Sequence, residues 1–204
     1  MNPPSPLHFY FDFISPFGYF ASLRIEDMAA RHGRIVEWHA MLLGVSVLKV
    51  MGLKSLLATP LKGDYIRREA KRYARRRQLQ LGRDLDDPVM DPRATGRAFY
   101  WVKQQRPALV VPLAHAIYHA YWVEGRDLSS AESIAAITLP DGVDAAWLSS
   151  GIQTDEAGTL LRNAVDASLK AGIFGSPTLM IDEEPFWGVQ TLELAEEWLA
   201  SGGW

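Results

Sequence analysis

Strand-forming patterns occur only near the two ends of this 204-residue chain, and this distribution constrains its fold more than any other feature. Residues 7–14 alternate strongly apolar with less apolar side chains, and residues 35–39 have a similar character. Between them, an amphipathic stretch that starts after Ser15 predicts a helix ending at Gly33. The N-terminal part therefore predicts a β-α-β unit with a right-handed crossover.

The middle of the chain carries helical patterns without clear strand signals, and strand character returns at residues 178–181 and 185–187. A last helix is predicted at residues 191–200. The simplest architecture is one α/β sheet domain built from residues 1–45 and 172–204. An all-helical insertion of residues 46–171 would interrupt it.

Composition excludes several classes of protein. Apolar residues make up 48% and charged residues 22% of the chain, which is typical of a globular protein. The net charge of −3 argues against general nucleic-acid binding. The chain has no cysteine, which excludes disulfides, thiolate metal sites and a Cys-x-x-Cys redox centre.

Targeting signals are not evident in the sequence. It has no run of about 18 apolar residues, so we expect no membrane-spanning helix. The N-terminus lacks a basic region before its apolar stretch, so we expect no secretory signal and a cytoplasmic protein.

Ser15 lies where the first strand leads into the first helix, with Pro16 at the first helical position. Backbone amides and the helix dipole favour an anion at such a place. The alternative is an ordinary N-cap serine. A capping box would need Glu or Gln at position 18, but Gly18 is there and leaves room for close approach to the backbone.

Two further segments could contribute to a binding site. Ser176-Pro177 precedes a predicted strand and could form a cis peptide bond. The segment "FWGVQTLEL" runs from a strand through Gly188 into a helix N-terminus, whose amides could hold a carboxylate. Each signal is weak alone.

Taken in order, these segments resemble the kappa-class glutathione transferase family, most closely its 2-hydroxychromene-2-carboxylate isomerase branch. The resemblance rests on "FYFDFISPFGYFA", "TPLKGDYIRREAKRYA", "GIFGSPT" and "FWGVQTLELAEEWL" and runs from Leu7 to about Leu199. It implies a thioredoxin-like domain with a helical insertion, a homodimer and a glutathione site.

The resemblance also implies roles for individual residues. Ser15 matches the catalytic serine, which would stabilise the thiolate of glutathione. Ser176, before the family's cis-proline at Pro177, would pair main chain to main chain with the cofactor's cysteinyl unit. Lys49 matches a lysine near the substrate, and Lys62 one near a cofactor carboxylate. The segment that would receive the γ-glutamyl end consists of Trp187, Gly188, Val189 and Gln190.

Gln190 departs from the family pattern, which has an acidic residue there to meet the glutamyl ammonium. An asparagine expected shortly before Lys62 is also not evident. The resemblance implies reversible thiolate addition to an aromatic enone acid, bond rotation and elimination. The alternatives are a conjugating kappa-like transferase or a non-catalytic thioredoxin-fold binding protein.

Other side chains have simpler interpretations. The basic run "RREAKRYARRR" is typical of a solvated helix face, with an anionic substrate's entry as the alternative. His115 and His119 lie four residues apart, but no third ligand is evident, so we expect no metal site. His8, His32 and His39 carry no motif. Aromatic residues of the insertion, among them Phe99 and Tyr118, could contact a flat substrate but are more typical of a core.

Overall fold

The computed structural model describes residues 5–204, and its centre is a four-stranded sheet. The strands are β1 Leu7–Phe11, β2 Val36–Ala40, β3 Thr178–Ile181 and β4 Glu184–Trp187. Their order is β2-β1-β3-β4, with β1 parallel to β2 and the other neighbours antiparallel. Both chain ends thus form one sheet, as predicted, and residue Phe9 pairs with Trp38 on one side and Leu179 on the other.

Nine α-helices lie within residues 5–204. They are α1 Pro16–Ser22, α2 Ile25–Arg31, α3 Lys62–Arg76, α4 Arg93–Gln105, α5 Val110–Tyr118, α6 Ala131–Ala135, α7 Ala145–Ile152, α8 Asp155–Lys170 and α9 Leu192–Ser201. Short 3₁₀ turns lie at Leu56–Ala58, Pro107–Leu109 and Val189–Thr191, and π-helical turns at Gly44–Val50 and His119–Val123. In this part of the chain, no helix is both long and apolar enough to cross a membrane.

The predicted elements near the N-terminus differ from the structure in two places. Strand β1 ends at Phe11 and not at residue 14, because the Asp12 carboxylate accepts a hydrogen bond from the Ile14 amide and closes a turn. The single predicted helix is two helices, which break after Ser22. The hydroxyl of that serine donates to the carbonyl of Tyr19 at 2.7 Å and competes with the helix backbone.

Aromatic packing joins the sheet to the helical region. Phe11 is fully buried and lies edge-on to Trp38 and Phe99, with ring centroids 5.3 Å away in both pairs, and 5.7 Å from Tyr118. Burying such a ring contributes about 1.5–3 kcal/mol. The aromatic residues of the insertion are thus mostly core, and the interpretation of Phe99 and Tyr118 as substrate contacts is wrong because both are fully buried.

Candidate active site at the start of helix α1

Ser15 is the N-cap of α1 and also contacts the distant loop at residue 176. Its backbone is extended, and its Oγ accepts a hydrogen bond from the Gly18 amide at 3.1 Å. The same hydroxyl donates to the carbonyl oxygen of Ser176 at 3.0 Å. Only 4% of Ser15 is exposed. Ser15 is therefore an N-cap residue, as the alternative interpretation of the sequence held. Its hydroxyl also donates to the loop at Ser176, which was predicted to bind a cofactor.

The turn that leads to Ser15 is fixed from both chain ends and from the helical region. The Asp12 amide donates to Ser176 Oγ at 2.9 Å. The Tyr118 hydroxyl donates to the Asp12 carbonyl at 3.3 Å, and the Trp122 indole donates to the Phe13 carbonyl at 3.0 Å. These bonds satisfy buried backbone groups and hold the turn in one geometry.

Asp12 places a buried carboxyl group beside this turn. Its oxygens accept hydrogen bonds from the amides of Leu43 at 2.7 Å and Ile14 at 3.2 Å. Burial raises the pKa of Asp12 to about 7, and the amide hydrogen bonds from Leu43 and Ile14 only partly oppose this shift. The group is therefore partly protonated near neutral pH.

Gly18 is required for close packing within the protein. A Cβ at this position would lie 2.8 Å from the Tyr118 hydroxyl and 2.9 Å from Ser176 Oγ. The space that the sequence suggested for an approaching ligand is thus occupied by two of the protein's own hydroxyl groups. Gly18 lets α1 approach the loop at Ser176.

The loop at Ser176 has the predicted cis peptide bond before Pro177. The Pro177 carbonyl accepts a hydrogen bond from the Gly188 amide at 2.9 Å, one residue beyond the pairing of Thr178 with Trp187. Gly188 has φ +100°, which favours glycine. The predicted residues 176, 177, 187 and 188 are therefore brought together.

Trp187 and Phe174 form an exposed aromatic pair next to this loop. Their rings meet edge to face with centroids 4.9 Å apart, and 47% and 42% of the residues are exposed. Trp187 lies directly over Gly175, where a Cβ would be 2.2 Å from the indole nitrogen. Phe174 was missed by sequence reasoning, although it lies inside the "GIFGSPT" segment.

Val189 and Gln190 differ in exposure. Val189 is fully buried, whereas Gln190 is exposed and its amide nitrogen donates to Glu69 Oε1 at 2.6 Å. Glu69 lies on α3, 121 residues away in sequence, and was not predicted. An acidic group therefore stands beside Gln190, but another element carries it.

One of the two predicted lysines lies in the segment before α3, and the other lies at the start of α3. Lys49 is exposed on the turn Gly44–Val50, and Ser46 of the same turn has its Oγ 3.5 Å from the Phe174 carbonyl. Lys62 is the exposed first residue of α3. Lys62 and Glu69 are seven residues apart, which places them on one face of that helix. No hydrogen bond joins either lysine to Ser15 or Ser176 within residues 5–204.

The other charged groups form separate surface contacts. His119 pairs with Glu124 at 3.2 Å, whereas His115 lies 4.0 Å from Glu26. The pair therefore does not converge on a shared ligand. In the basic run, Arg67 pairs with Asp86 at 2.7 Å and Lys71 with Asp84 at 2.6 Å.

Comparison with known proteins shows the family of this chain. The sequence model of the DSBA-like thioredoxin domain matches residues 6–200. The chain belongs to the DsbA-like thioredoxin family. Curated relatives of this DsbA-like chain include two proteins named 2-hydroxychromene-2-carboxylate isomerase. The one from Sphingobium xenophagum is 26% identical and covers 95% of this chain and 97% of its own. The one from Pseudomonas putida is 27% identical and covers 92% and 91%.

Solved structures show the same fold for this DsbA-like chain. A 2-hydroxychromene-2-carboxylate isomerase superposes with a TM-score of 0.77 at 22% identity, covering 97% of this chain and 95% of the other. The cytosolic disulfide reductase DsbM from Pseudomonas aeruginosa, solved with GSH, gives 0.62 at 18% identity, covering 97% and 96%. The predicted thioredoxin-like fold is confirmed.

Proposed function

We propose that this DsbA-like chain is a glutathione-dependent isomerase of an aromatic enone acid such as 2-hydroxychromene-2-carboxylate. Its curated relatives over most of the chain carry that name. The observation that carries the proposal is the Ser15 hydroxyl, which caps α1 and contacts the Ser176–Pro177 loop in a chain without cysteine. A thiol acting at this place must come from a cofactor.

Ser15 would stabilise the cofactor as a thiolate. A hydroxyl donates one hydrogen bond, so its hydrogen must leave the Ser176 carbonyl before it can reach a sulfur atom. A hydrogen bond to a charged partner contributes about 1.5–3 kcal/mol, compared with about 1 for a neutral pair. The exchange therefore favours the thiolate, and the N-terminus of α1 adds to this effect.

The Ser176 carbonyl explains why a peptide-like thiol suits the site. Once the Ser15 hydroxyl turns away, this carbonyl is available to the cysteinyl amide of glutathione, in the main-chain pairing predicted for Ser176. Binding of the cofactor backbone and release of the Ser15 hydrogen would then occur together. A simple thiol without an amide offers no such replacement.

Glu69 supplies the negative charge that Gln190 lacks. We place the γ-glutamyl end at Trp187, Gly188, Val189 and Gln190, with its ammonium between Gln190 and Glu69. In support of this, the Gln190 amide donates to Glu69 Oε1 at 2.6 Å, so a carboxylate lies next to the position at which the resemblance implies an acidic residue. Lys62, on the same face of α3 as Glu69, would meet a carboxylate of the cofactor.

The substrate would lie against the exposed aromatic pair next to the Ser176 loop. The exposed rings of Phe174 and Trp187 offer an apolar surface to an aromatic acid, and Lys49 offers a charge to its carboxylate. The cyclic hemiketal first opens at its ring carbon–oxygen bond and gives the enone. The thiolate then adds to the carbon–carbon double bond of the enone, whose electron pair moves onto the carbonyl oxygen. The resulting single bond rotates, and elimination re-forms the double bond and returns the thiolate. The reaction needs no redox partner and no net proton.

A second copy of the chain is the proposed partner. Residues 44–61 expose a group of large apolar side chains, namely Leu48, Val50, Met51, Leu53, Leu56 and Leu61. Contiguous exposed apolar surface is typical of interaction sites. A homodimer would cover this apolar surface, and light scattering after size-exclusion chromatography measures the mass.

Two further expectations from the sequence stay predictions. They are the cytoplasmic location of the protein and its division into domains at residues 45 and 172.

The proposed function is tested by mixing the protein with 2-hydroxychromene-2-carboxylate and following the ultraviolet spectrum with and without glutathione. We expect isomerisation only when glutathione is present, without consumption of the thiol. Stoichiometric loss of glutathione would indicate a conjugating transferase. Binding of glutathione without turnover would indicate a binding protein.

The Glu69→Gln variant tests the ammonium contact separately. We expect glutathione binding to weaken by about 0.5–1.5 kcal/mol, because a partly exposed charge pair is lost. An analogue in which hydrogen replaces the amino group should bind wild type and variant equally. The control Glu132→Gln removes an exposed carboxylate on α6. Equal weakening for both ligands in Glu69→Gln calorimetry would contradict the assignment.

A further inference from the structure

Three possible metal ligands converge on strands β1 and β2. His8 Nδ1 lies 3.0 Å from His39 Nε2. Glu37 Oε2 lies 3.6 Å from His8 Nδ1, and Glu37 Oε1 lies 3.8 Å from His39 Nε2. In the parallel register His8 stands opposite Glu37, and His39 lies two residues further along, so all three share one face of the sheet.

The separations match those of ligands around one small cation. Zinc lies about 2.0–2.2 Å from imidazole nitrogen and carboxylate oxygen in tetrahedral sites, so two of its ligands are roughly 3.3 Å apart. The two histidine nitrogens are 3.0 Å apart and Glu37 Oε2 lies 3.6 Å from His8 Nδ1, which are on either side of that value. One ligand atom from each of the three residues lies within 4.8 Å of the other two. Small side-chain movements would bring all three atoms to bonding distance.

Lys103 has two opposing effects. Its charge repels a cation, but its ammonium is held by the Trp38 carbonyl at 2.8 Å and by Glu37 Oε1 at 3.1 Å. The other carboxylate oxygen, Oε2, is the one nearer His8. Hydrogen bonds of this kind orient ligating carboxylates in metal sites. The His39 ring is oriented as well, because it stacks on Tyr10 with centroids 4.7 Å apart.

We propose that His8, Glu37 and His39 form a zinc site whose fourth position is open to solvent. Two imidazoles, one carboxylate and a water are a ligand set that zinc takes. The side chains are 35%, 21% and 43% exposed for His8, His39 and Glu37, so the ion can reach them. The histidine that donates in the His8–His39 hydrogen bond moves its proton to its other ring nitrogen, and no net proton is released.

The test uses the full-length protein after dialysis against a chelator, titrated calorimetrically with Zn²⁺ alone at neutral pH. We expect one zinc per chain. His8→Ala and His39→Ala should each weaken zinc binding about tenfold or more, on the scale of changes around metal sites. Glu37→Gln should do the same while keeping an oxygen for Lys103. The control His119→Ala removes an exposed histidine elsewhere and should bind zinc like wild type.

Unfolding temperatures with chelator show whether each variant is folded, and the conservative Glu37→Gln change keeps the test valid if a histidine variant is not. An anomalous signal at the zinc edge, located between His8 and His39 in crystals, would support the site directly. Absence of one-to-one zinc binding by the wild type would overturn the proposal. Binding that survives Glu37→Gln and both histidine changes would overturn it equally.

Discussion

Two sets of polar groups near strand β1 lie in opposite environments. Just beyond the C-terminal end of β1, Asp12 and Ser15 are almost fully buried, and their side chains bond to backbone groups. On the face that β1 shares with β2, His8 of β1 and Glu37 and His39 of β2 are partly exposed and lie beside Lys103. The pKa of Asp12 is raised by burial, whereas Lys103 and the histidines lower that of Glu37. A nearby cation and access to solvent therefore decide how a carboxyl group behaves in these two places.

Asp12→Asn should change the pH dependence of stability most. Because the folded-state pKa of Asp12 is raised from 3.8 to about 7, its contribution is fully present below about pH 4 and is lost as the pH rises to about 7. At about 1.4 kcal/mol per pKa unit, the difference amounts to several kcal/mol. Urea unfolding of wild type and variant between those pH values measures it. Parallel pH profiles would mean that Asp12 titrates normally.

Ser15→Ala should lower isomerisation at neutral pH by roughly 10- to 150-fold, because a charged hydrogen bond of about 1.5–3 kcal/mol is lost. Glutathione should still bind, and activity should recover partly as the pH rises and ionises the thiol. His39→Ala, on strand β2, should leave turnover unchanged. Ultraviolet assays over a pH series make the comparison, and full activity of Ser15→Ala at neutral pH would reduce Ser15 to a helix cap.

Gly18→Ala should destabilise the protein by about 1–3 kcal/mol, because the new methyl group overlaps the hydroxyls of Tyr118 and Ser176. Gly44→Ala is the matched control, since a Cβ there meets no atom within 4 Å. Denaturant midpoints of the two variants measure the difference. Equal midpoints would show that the region around Ser15 is less tightly packed than described.

Glu37→Gln should have the smallest effect and the opposite pH dependence to Asp12→Asn. Because the pKa of Glu37 is lowered, its contribution is present above the unfolded value of 4.5 and is lost as the pH falls. The pair with Lys103 is partly exposed, so we expect only about 0.2–1 kcal/mol. Unfolding experiments in chelator at neutral and acidic pH measure it. A loss larger than that of Gly18→Ala would contradict the comparison of the two sets of polar groups.

Local patterns were enough to predict the sheet and the cap, because alternation and capping depend on neighbouring residues. Ser15 was placed correctly by the Ser-Pro pair that follows a strand. Contacts between distant residues could not be predicted in this way. Ser15 meets Ser176 across 161 residues and Gln190 meets Glu69 across 121. No spacing in the sequence indicates either pair.

The histidines show the same limit. His8 and His39 come together only because β1 and β2 pair in parallel in one particular register, and a shift by one residue would turn one of them to the other face. Sequence reasoning instead noticed His115 and His119, whose spacing of four is visible locally. Their rings pair with different carboxylates.

The carboxylate beside Gln190 belongs to a helix and not to the sheet. The backbone near Gln190 is fixed by the bond between Gly188 and Pro177, so changes there would disturb the sheet edge. Glu69 is partly exposed on α3, and its carboxylate accepts hydrogen bonds from two exposed side chains, those of Tyr65 and Gln190. A single substitution on this helix would therefore reverse the charge offered to an incoming ligand. The charge beside Gln190 can thus change by substitution on α3 while the backbone of the sheet edge stays the same.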